Sequence, residues 1–174
     1  DGDDAWPEPL AGRDGPWTRV AEEPEPEWWP DPVVAGPQPG ERCLVVAEFG
    51  HPLTAGIAAA GHPMIAEAGG LGGASVLAAG VLLLADKDFR RAHRPDRVIV
   101  LGRPTLFRAI TSTVADPTIP VDVVAPPADY PDPSGNARSV AGWIGPIPGP
   151  ADPEWSDAWR EAGRKASAAV DHVL

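Results

Sequence analysis

The chain has 174 residues, a formal net charge of −11 and a single cysteine, Cys43. This length suits one domain with a substantial core, the acidity argues against a nucleic-acid partner, and one cysteine excludes an internal disulfide framework and a cysteine-based metal site. No apolar run approaches the roughly 18–20 residues that a membrane span needs. We therefore expect a cytoplasmic protein without a membrane span, and a buried structural role for Cys43.

Residues 1–40 contain ten of the acidic residues and many prolines. Because each proline removes an N–H donor, neither a helix nor a central strand is expected there. The stretch also contains Trp17, Trp28 and Trp29, and disordered linkers rarely carry so many tryptophans. We predict an acidic interdomain linker over residues 1–40, extended and laid on a surface, followed by one domain over residues 41–174.

From residue 43 onwards, β-favouring apolar runs alternate with helical patterns. The predicted strands cover residues 43–47, 63–67, 98–101, 120–124 and 140–144. The predicted helices cover residues 53–60, 74–84 and 105–115, and a last stretch that starts after residue 152. This alternation predicts right-handed βαβ units. The fold class is therefore α/β, a Rossmann-like three-layer domain with a mostly parallel sheet of about five to six strands.

Apolar stripes and end signals define the two clearest helices. In the helix predicted over residues 105–115, Leu106, Ile110 and Val114 share one face. The last helix has Asp152 as its predicted N-cap. Its apolar stripe consists of Trp155, Trp159, Ala162, Ala166, Ala169 and Val173.

A glycine-rich stretch, residues 69–73, follows a predicted strand and precedes a predicted helix. A phosphate cradle occupies this position in dinucleotide-binding folds. The spacing is not G-x-G-x-x-G, however, and the chain has no Gly-Lys-Ser/Thr sequence. We therefore favour a plain connection over a phosphate site and predict no cofactor-binding residue.

The chain also lacks the usual catalytic and metal-binding motifs. Its histidines have no spacing typical of a metal site, and there is no G-x-S-x-G nucleophile motif. We expect the histidines to be surface or loop residues: His51, His62, His93 and His172. No catalytic or metal-binding residue is predicted.

Arg103 and Thr105 are the candidate site residues. They follow the predicted strand 98–101, at the carboxyl edge where open α/β sheets bind ligands. A guanidinium there could bind a carboxylate through two hydrogen bonds. The alternative is an arginine that caps neighbouring carbonyls or pairs with an acid across a domain interface. Both residues are therefore candidates for an anion-binding, regulatory or interface role.

Three stretches carry a resemblance to a known family: residues 63–68 (PMIAEA), residues 97–106 (RVIVLGRPTL), and residues 121–124 (VDVV) with 130–134 (YPDPS). Together they resemble the central domain of the 2-succinyl-5-enolpyruvyl-6-hydroxy-3-cyclohexene-1-carboxylate synthases of menaquinone biosynthesis, the MenD family. The resemblance is close over residues 97–134 and looser over residues 42–174. Tyr130 stands where relatives usually have tryptophan.

The resemblance implies a thiamine diphosphate-dependent transferase. This family decarboxylates 2-oxoglutarate and adds the resulting succinyl carbanion to isochorismate, with Mg²⁺ or Mn²⁺ anchoring the diphosphate. Its catalytic and cofactor-binding residues lie in an N-terminal and a C-terminal domain, and the chain has no Gly-Asp-Gly…Asn metal motif. The resemblance therefore implies a non-catalytic central domain without a cofactor of its own, whose partners are those two domains within a homo-oligomer.

Two other functions remain open on the sequence. The first is a free-standing nucleotide-binding Rossmann domain, which calorimetry with NAD, FAD and CoA would reveal. The second is a ligand-sensing module, in which Arg103 helps to hold an acidic pathway product for feedback. Asp129 lies where a second basic group of such a site would be expected. Titration with 1,4-dihydroxy-2-naphthoate would test this second function.

Overall fold

The computed structural model describes residues 33–48, 50–67, 75–125 and 132–173. In these ranges the strands are β1 (Val33–Val34), β2 (Cys43–Ala47), β3 (Met64–Ala66), β4 (Arg97–Leu101), β5 (Val121–Val124), β6 (Ala137–Ala141) and β7 (Trp143–Ile144). The helices are α1 (Thr54–Ala60), α2 (Gly80–Ala85), α3 (Lys87–Ala92), α4 (Arg108–Val114) and α5 (Pro153–Val173). No helix in the described ranges combines the length and the hydropathy that a membrane crossing needs.

The main sheet has five parallel strands in the order β3-β2-β4-β5-β6. Every residue of β2, β4 and β5 is buried, as in a parallel sheet covered on both faces, and this includes the charged residues Arg97 and Asp122. Within this sheet β2 comes first along the chain, β3 pairs with one side of it, and β4 pairs with the other. The predicted α/β, Rossmann-like architecture with a parallel sheet is therefore confirmed.

The two faces of the sheet are covered by different elements. On one face, Val98 and Val121 pack with Ile110 of α4 and Trp159 of α5. On the opposite face, Ile99 and other strand residues form a second apolar cluster, to which Ile57 of α1, Val34 of β1 and Ile144 of β7 contribute. Cys43 belongs to this second cluster and is 1% exposed, which confirms the predicted burial of its thiol.

Helix α5 closes the first face with its N-terminal half. Asp152 is its N-cap, as predicted, since its Oδ1 accepts a hydrogen bond from the amide of Trp155 at 2.9 Å. The indole nitrogens of Trp155 and Trp159 both donate to the carbonyl of His93, at 3.1 and 3.2 Å. The predicted apolar stripe does not stay buried to its end, because Val173 is 83% exposed.

The helix predicted over residues 105–115 begins three residues later, at α4. Ile110 and Val114 are buried as predicted, but Leu106 precedes the helix and is 64% exposed. The physical reason is a tertiary hydrogen bond: the amide of Leu106 donates to Oε1 of Glu67 at 2.5 Å. This bond fixes the start of the segment as a loop and turns Leu106 away from the core.

The segment between β3 and β4 departs further from the prediction. The helix expected over residues 74–84 is confined to α2, because Val76 forms a parallel bridge with Met64 instead of a helical turn. Helix α3 was not predicted at all. It is stabilised at its start by Asp86, whose Oδ1 accepts the amides of Asp88 and Phe89.

The strand predicted over residues 140–144 is split at Gly142. β6 stays in the main sheet, whereas β7 pairs in parallel with β1 in a separate two-stranded sheet. β1 lies within residues 33–40, the described part of the predicted linker. A two-residue strand has no sequence signature of its own, because its partner lies more than 100 residues away.

Candidate functional site

The candidate site lies at the carboxyl edge of the sheet, between β2 and β4. At this point the chain order reverses, since β2 connects to β3 on one side and β4 lies on the other. Open α/β sheets bind their ligands at such a switch point. Three loops meet here: the one after β2, which begins at Glu48, the one after β3, which begins at Glu67, and the loop over residues 102–107.

The side chain of Glu48 occupies the switch point. Its Oε2 accepts a hydrogen bond from the backbone amide of Arg103 at 2.8 Å. Gly102 allows this approach, because a Cβ atom there would lie 2.0 Å from the carboxyl carbon of Glu48. Gly102 also has a φ of +72°, which favours glycine. The close contact and the turn together explain why glycine follows β4.

Glu67, which directly follows the neighbouring strand β3, makes an equivalent hydrogen bond. Its side chain is buried, with the residue 4% exposed, and its Oε1 accepts the amide of Leu106. Two carboxylates of the chain itself therefore accept hydrogen bonds from backbone amides of the loop over residues 102–107. These are the donors that an anionic ligand would otherwise use at this edge. The arrangement occupies these two donors and positions the loop that carries Arg103.

Arg103 and Thr105 lie at this edge, as the sequence predicted, and both are exposed. Among the described residues, the Arg103 guanidinium has no hydrogen-bond or ion-pair partner. Arg103 lines a cavity of about 360 Å³ and contributes the one charged side chain of its described lining. Other described lining residues include Pro104, Thr111, Val114, Val123 and Pro133. Thr105 is not among the lining residues. The site therefore combines an apolar cavity with one unpaired cation.

The histidines do not contribute to this site as ligands. His51 and His62 lie in loops, one of the two placements predicted for the histidines, and there they are buried, at 8% and 1% exposed. His51 Nδ1 accepts the amide of Leu53, and the Nε2 atom of His62 lies 2.8 Å from the carbonyl oxygen of Pro148. Burial lowers the pKa of His51, although the charge of Glu48 opposes this shift. Both rings therefore hold loops in place.

The described ranges contain no group of three or more His, Cys, Asp or Glu side chains that could hold a metal ion. The glycine-rich residues 69–73, Asp129 and Tyr130 lie outside the described residues, and so do the three tryptophans of the predicted linker.

The sequence analysis did not predict a buried ionic cluster that lies near the amino ends of β4 and β5. Arg97 and Asp122 are 1% and 2% exposed, and the Nε of Arg97 donates to Oδ2 of Asp122 at 2.6 Å. Arg138 and Ser139 also donate to this carboxylate, each at 2.5 Å. The signal was present in the sequence: a charged residue inside a buried strand, as in Val-Asp-Val-Val, requires a partner of opposite charge.

Burial by itself would raise the pKa of Asp122. The hydrogen bonds from Arg138 and Ser139 and the charge of Arg97 outweigh that effect and hold the pKa below its ordinary value. Asp122 is therefore a charged carboxylate at neutral pH, fully used by its neighbours. The cluster stabilises the fold and offers no free group for chemistry.

Comparison with known proteins places the chain beside one kind of enzyme. No protein-family model matches it. It is 37% identical over 179 residues to a 2-succinyl-5-enolpyruvyl-6-hydroxy-3-cyclohexene-1-carboxylate synthase of Saccharopolyspora erythraea, a match that covers 99% of this chain and 31% of the relative. Synthases of the same name from Mycobacterium ulcerans and Mycobacterium avium are each 40% identical, over 47% and 46% of this chain and 15% and 14% of the relatives.

The chain thus spans about a third of the length of the Saccharopolyspora relative. The match extends well beyond the short stretches that carried the resemblance in the sequence. As the resemblance predicted, the chain is a homologue of the 2-succinyl-5-enolpyruvyl-6-hydroxy-3-cyclohexene-1-carboxylate synthases, equivalent to a domain-sized part of them.

Proposed function

We propose that the chain is the central, non-catalytic domain of a thiamine diphosphate-dependent synthase. The whole enzyme would decarboxylate 2-oxoglutarate and add the succinyl carbanion to isochorismate, in the cytoplasm and as a homo-oligomer. The observation that carries this proposal is the match along 99% of the chain to 31% of a relative with this name. In this role the domain organises an N-terminal and a C-terminal catalytic domain of the same chain.

The switch point supports a structural role over a nucleotide-binding one. A dinucleotide would bring its diphosphate to this edge. There the carboxylates of Glu48 and Glu67 already accept hydrogen bonds from backbone amides of the loop over residues 102–107. Thiamine diphosphate and Mg²⁺ or Mn²⁺ belong to the other domains in this proposal. The described residues do not fit these groups, because they offer no cluster of oxygen ligands for a divalent cation.

The test compares the 174-residue chain with the full-length enzyme. Each is mixed with isochorismate, 2-oxoglutarate, thiamine diphosphate and Mg²⁺, and CO₂ release is measured. We expect release from the full-length enzyme and none from the chain alone, with circular dichroism showing that the chain is folded. Turnover by the folded chain alone would contradict the proposal.

A second, independent check is the sequence encoded on either side of this segment. We expect a Gly-Asp-Gly…Asn metal motif downstream in the same reading frame. A neighbouring sequence without any thiamine diphosphate-binding motif would contradict the proposed parent enzyme.

The geometry around Arg103 favours a second function within the same enzyme, the sensing of an acidic aromatic product. A guanidinium without a partner in the described ranges, beside an apolar cavity of about 360 Å³, suits a flat aromatic carboxylate, with the ring against apolar side chains and the carboxylate on the cation. Thr105, which is also exposed, is the second residue assigned to this edge.

The sensing function is tested by titrating the full-length enzyme with 1,4-dihydroxy-2-naphthoate. We expect the rate to fall in the wild type and in the control Arg108→Ala, which removes an exposed cation outside the cavity. The Arg103→Ala variant should keep its rate. Equal responses of the wild type and the Arg103→Ala variant would end this idea.

A further inference from the structure

The backbone segments before β2 and after β6 meet outside the main sheet. Val33 and Val34 of β1 pair in parallel with Trp143 and Ile144 of β7. The pairing continues beyond the strands, since the amide of Gly145 donates to the carbonyl of Val34 at 2.8 Å. More than 100 residues separate the two partners. The contact therefore joins the segment that enters the sheet to the segment that leaves it towards α5.

Gly36 locks the two segments together by its size. A Cβ atom on Gly36 would lie 1.8 Å from the carbonyl oxygen and 2.9 Å from the carbonyl carbon of Pro146. Both atoms belong to the backbone, so no side-chain rotation relieves the clash. The φ of Gly36 is not in the left-handed region. Glycine is required here for the close approach of two backbones and not for a special turn.

Arg97 attaches the segment that enters the sheet, residues 33–36, to β4. Its guanidinium donates to the carbonyls of Ala35 at 2.7 Å and Gly36 at 3.2 Å while its Nε is paired with Asp122. Val34 is 1% exposed in the apolar cluster on the same face. The incoming segment is thus held by strand pairing, by burial and by a charged side chain.

We propose that residues 33–36 and 143–146 form a clasp that makes the incoming segment, the outgoing segment and the sheet move as one body. The further role of the clasp rests on the proposed function. In the full-length synthase, it fixes the point at which the segment from the N-terminal catalytic domain reaches the sheet, relative to the segment that leads to α5. Catalytic groups contributed by separate domains need this constraint, because a displacement of about 1 Å can cost about a hundredfold in rate.

The test uses hydrogen–deuterium exchange on the full-length enzyme, with Gly36→Ala as the variant and Gly142→Ala as the control. A Cβ at Gly142 would meet nothing within 4 Å, and neither glycine has a left-handed φ. In Gly36→Ala, we expect the amide of Gly145 to exchange about tenfold faster or more, equivalent to about 1.4 kcal/mol, while the amides of β2 and β4 stay protected. Gly142→Ala should exchange like the wild type.

A second variant covers the case in which Gly36→Ala does not fold. Arg97→Lys keeps a positive charge beside Asp122 but loses the separate guanidinium bonds to Ala35 and Gly36. It should accelerate exchange of the same segments by a smaller factor. Unchanged exchange at Gly145, or an equal acceleration throughout the domain, would overturn the clasp.

The kinetic readout addresses the further role separately. We expect kcat/KM of Gly36→Ala to fall while the control keeps its wild-type value. Faster local exchange with an unchanged kcat/KM would overturn the positioning role. Failure of the wild-type full-length chain to catalyse the synthase reaction would instead contradict the proposed function, and it would leave the exchange result on the clasp valid.

Discussion

Replacing Asp122 by asparagine tests whether the buried ionic cluster stabilises the domain. The carboxylate accepts hydrogen bonds from Arg97, Arg138 and Ser139 and is 2% exposed. Asparagine has nearly the same shape, but it carries no charge and presents an NH₂ group where two cations approach. Among the described residues, Arg97 would then keep only the Glu41 carboxylate, at 3.5 Å, as an anionic partner.

Removing one partner of a buried ion pair costs about 3–5 kcal/mol, because the other charge stays buried and uncompensated. The matched control is Asp96→Asn. Asp96 pairs with Arg42 at 2.8 Å, but the two side chains are 44% and 38% exposed, respectively. An exposed pair of this kind contributes at most about 1 kcal/mol. Urea unfolding of the chain should therefore show a loss for Asp122→Asn several times that for Asp96→Asn. Equal losses would refute the assignment of Asp122 as the centre of the cluster.

The same substitution has a pH signature. In the folded chain the pKa of Asp122 is held below its ordinary value of 3.8. The contribution of Asp122 to the free energy of unfolding is therefore complete above the pKa it has in the unfolded chain, and it is lost as the pH falls through the pKa it has in the folded chain. The difference in unfolding free energy between wild type and Asp122→Asn should be full at pH 7 and should shrink below about pH 4. A difference that stays constant down to pH 2 would show that the charge of Asp122 is not its source.

Two further substitution and labelling experiments follow from the structure. Gly102→Ala and Gly135→Ala both place a side chain at a positive φ, which costs about 1–2 kcal/mol of unfolding free energy. Of these two glycines, only Gly102 is crowded, by the Glu48 carboxylate, so Gly102→Ala should cost about 1.5–3 kcal/mol more because the hydrogen bond from the Arg103 amide to Glu48 is lost. Equal melting curves of the two variants would contradict that contact. Burial raises the pKa of Cys43 to about 12, from 9.0, so its thiolate fraction at pH 8 is about a thousandfold lower than that of a free thiol. Alkylation of Cys43 by iodoacetamide should therefore occur only at the rate of global unfolding. Rapid labelling of the native chain would contradict the burial of Cys43.

The elements that the sequence predicted well are those with their own apolar pattern. The strand predicted over residues 43–47 coincides with β2, and Gly61 ends α1 in a left-handed conformation as a C-cap glycine should. Elements that depend on distant partners were missed. Helix α3 has no buried residue of its own, and β1 is a strand only because β7, far along the chain, pairs with it.

The candidate site divides in the same way. The position of Arg103 at the carboxyl edge follows from the strand pattern alone, and the structure places it there. The carboxylates of Glu48 and Glu67 were not predicted, although both follow a buried strand directly, each in an Ala-Glu pair. Because the carboxyl ends of parallel neighbours meet at one edge, two acids in that position indicate a negatively charged edge. The exposure of Leu106 could not be predicted, since it depends on the bond to Glu67.

Arg97 and Arg103 show why residue type alone does not assign a role, since Arg97 is the first residue of β4 and Arg103 lies in the loop that follows this strand. Arg97 is buried, and a buried guanidinium is stable only with a counter-charge and acceptors for its protons, which Asp122 and two backbone carbonyls supply. Arg103 is exposed, and its solvated charge needs no partner in the described part of the chain. The part of the fold that the structure describes therefore depends on Arg97 and not on Arg103. An arginine with no structural partner among the described residues, beside an apolar cavity at the ligand edge of the sheet, supports the proposed binding role of Arg103.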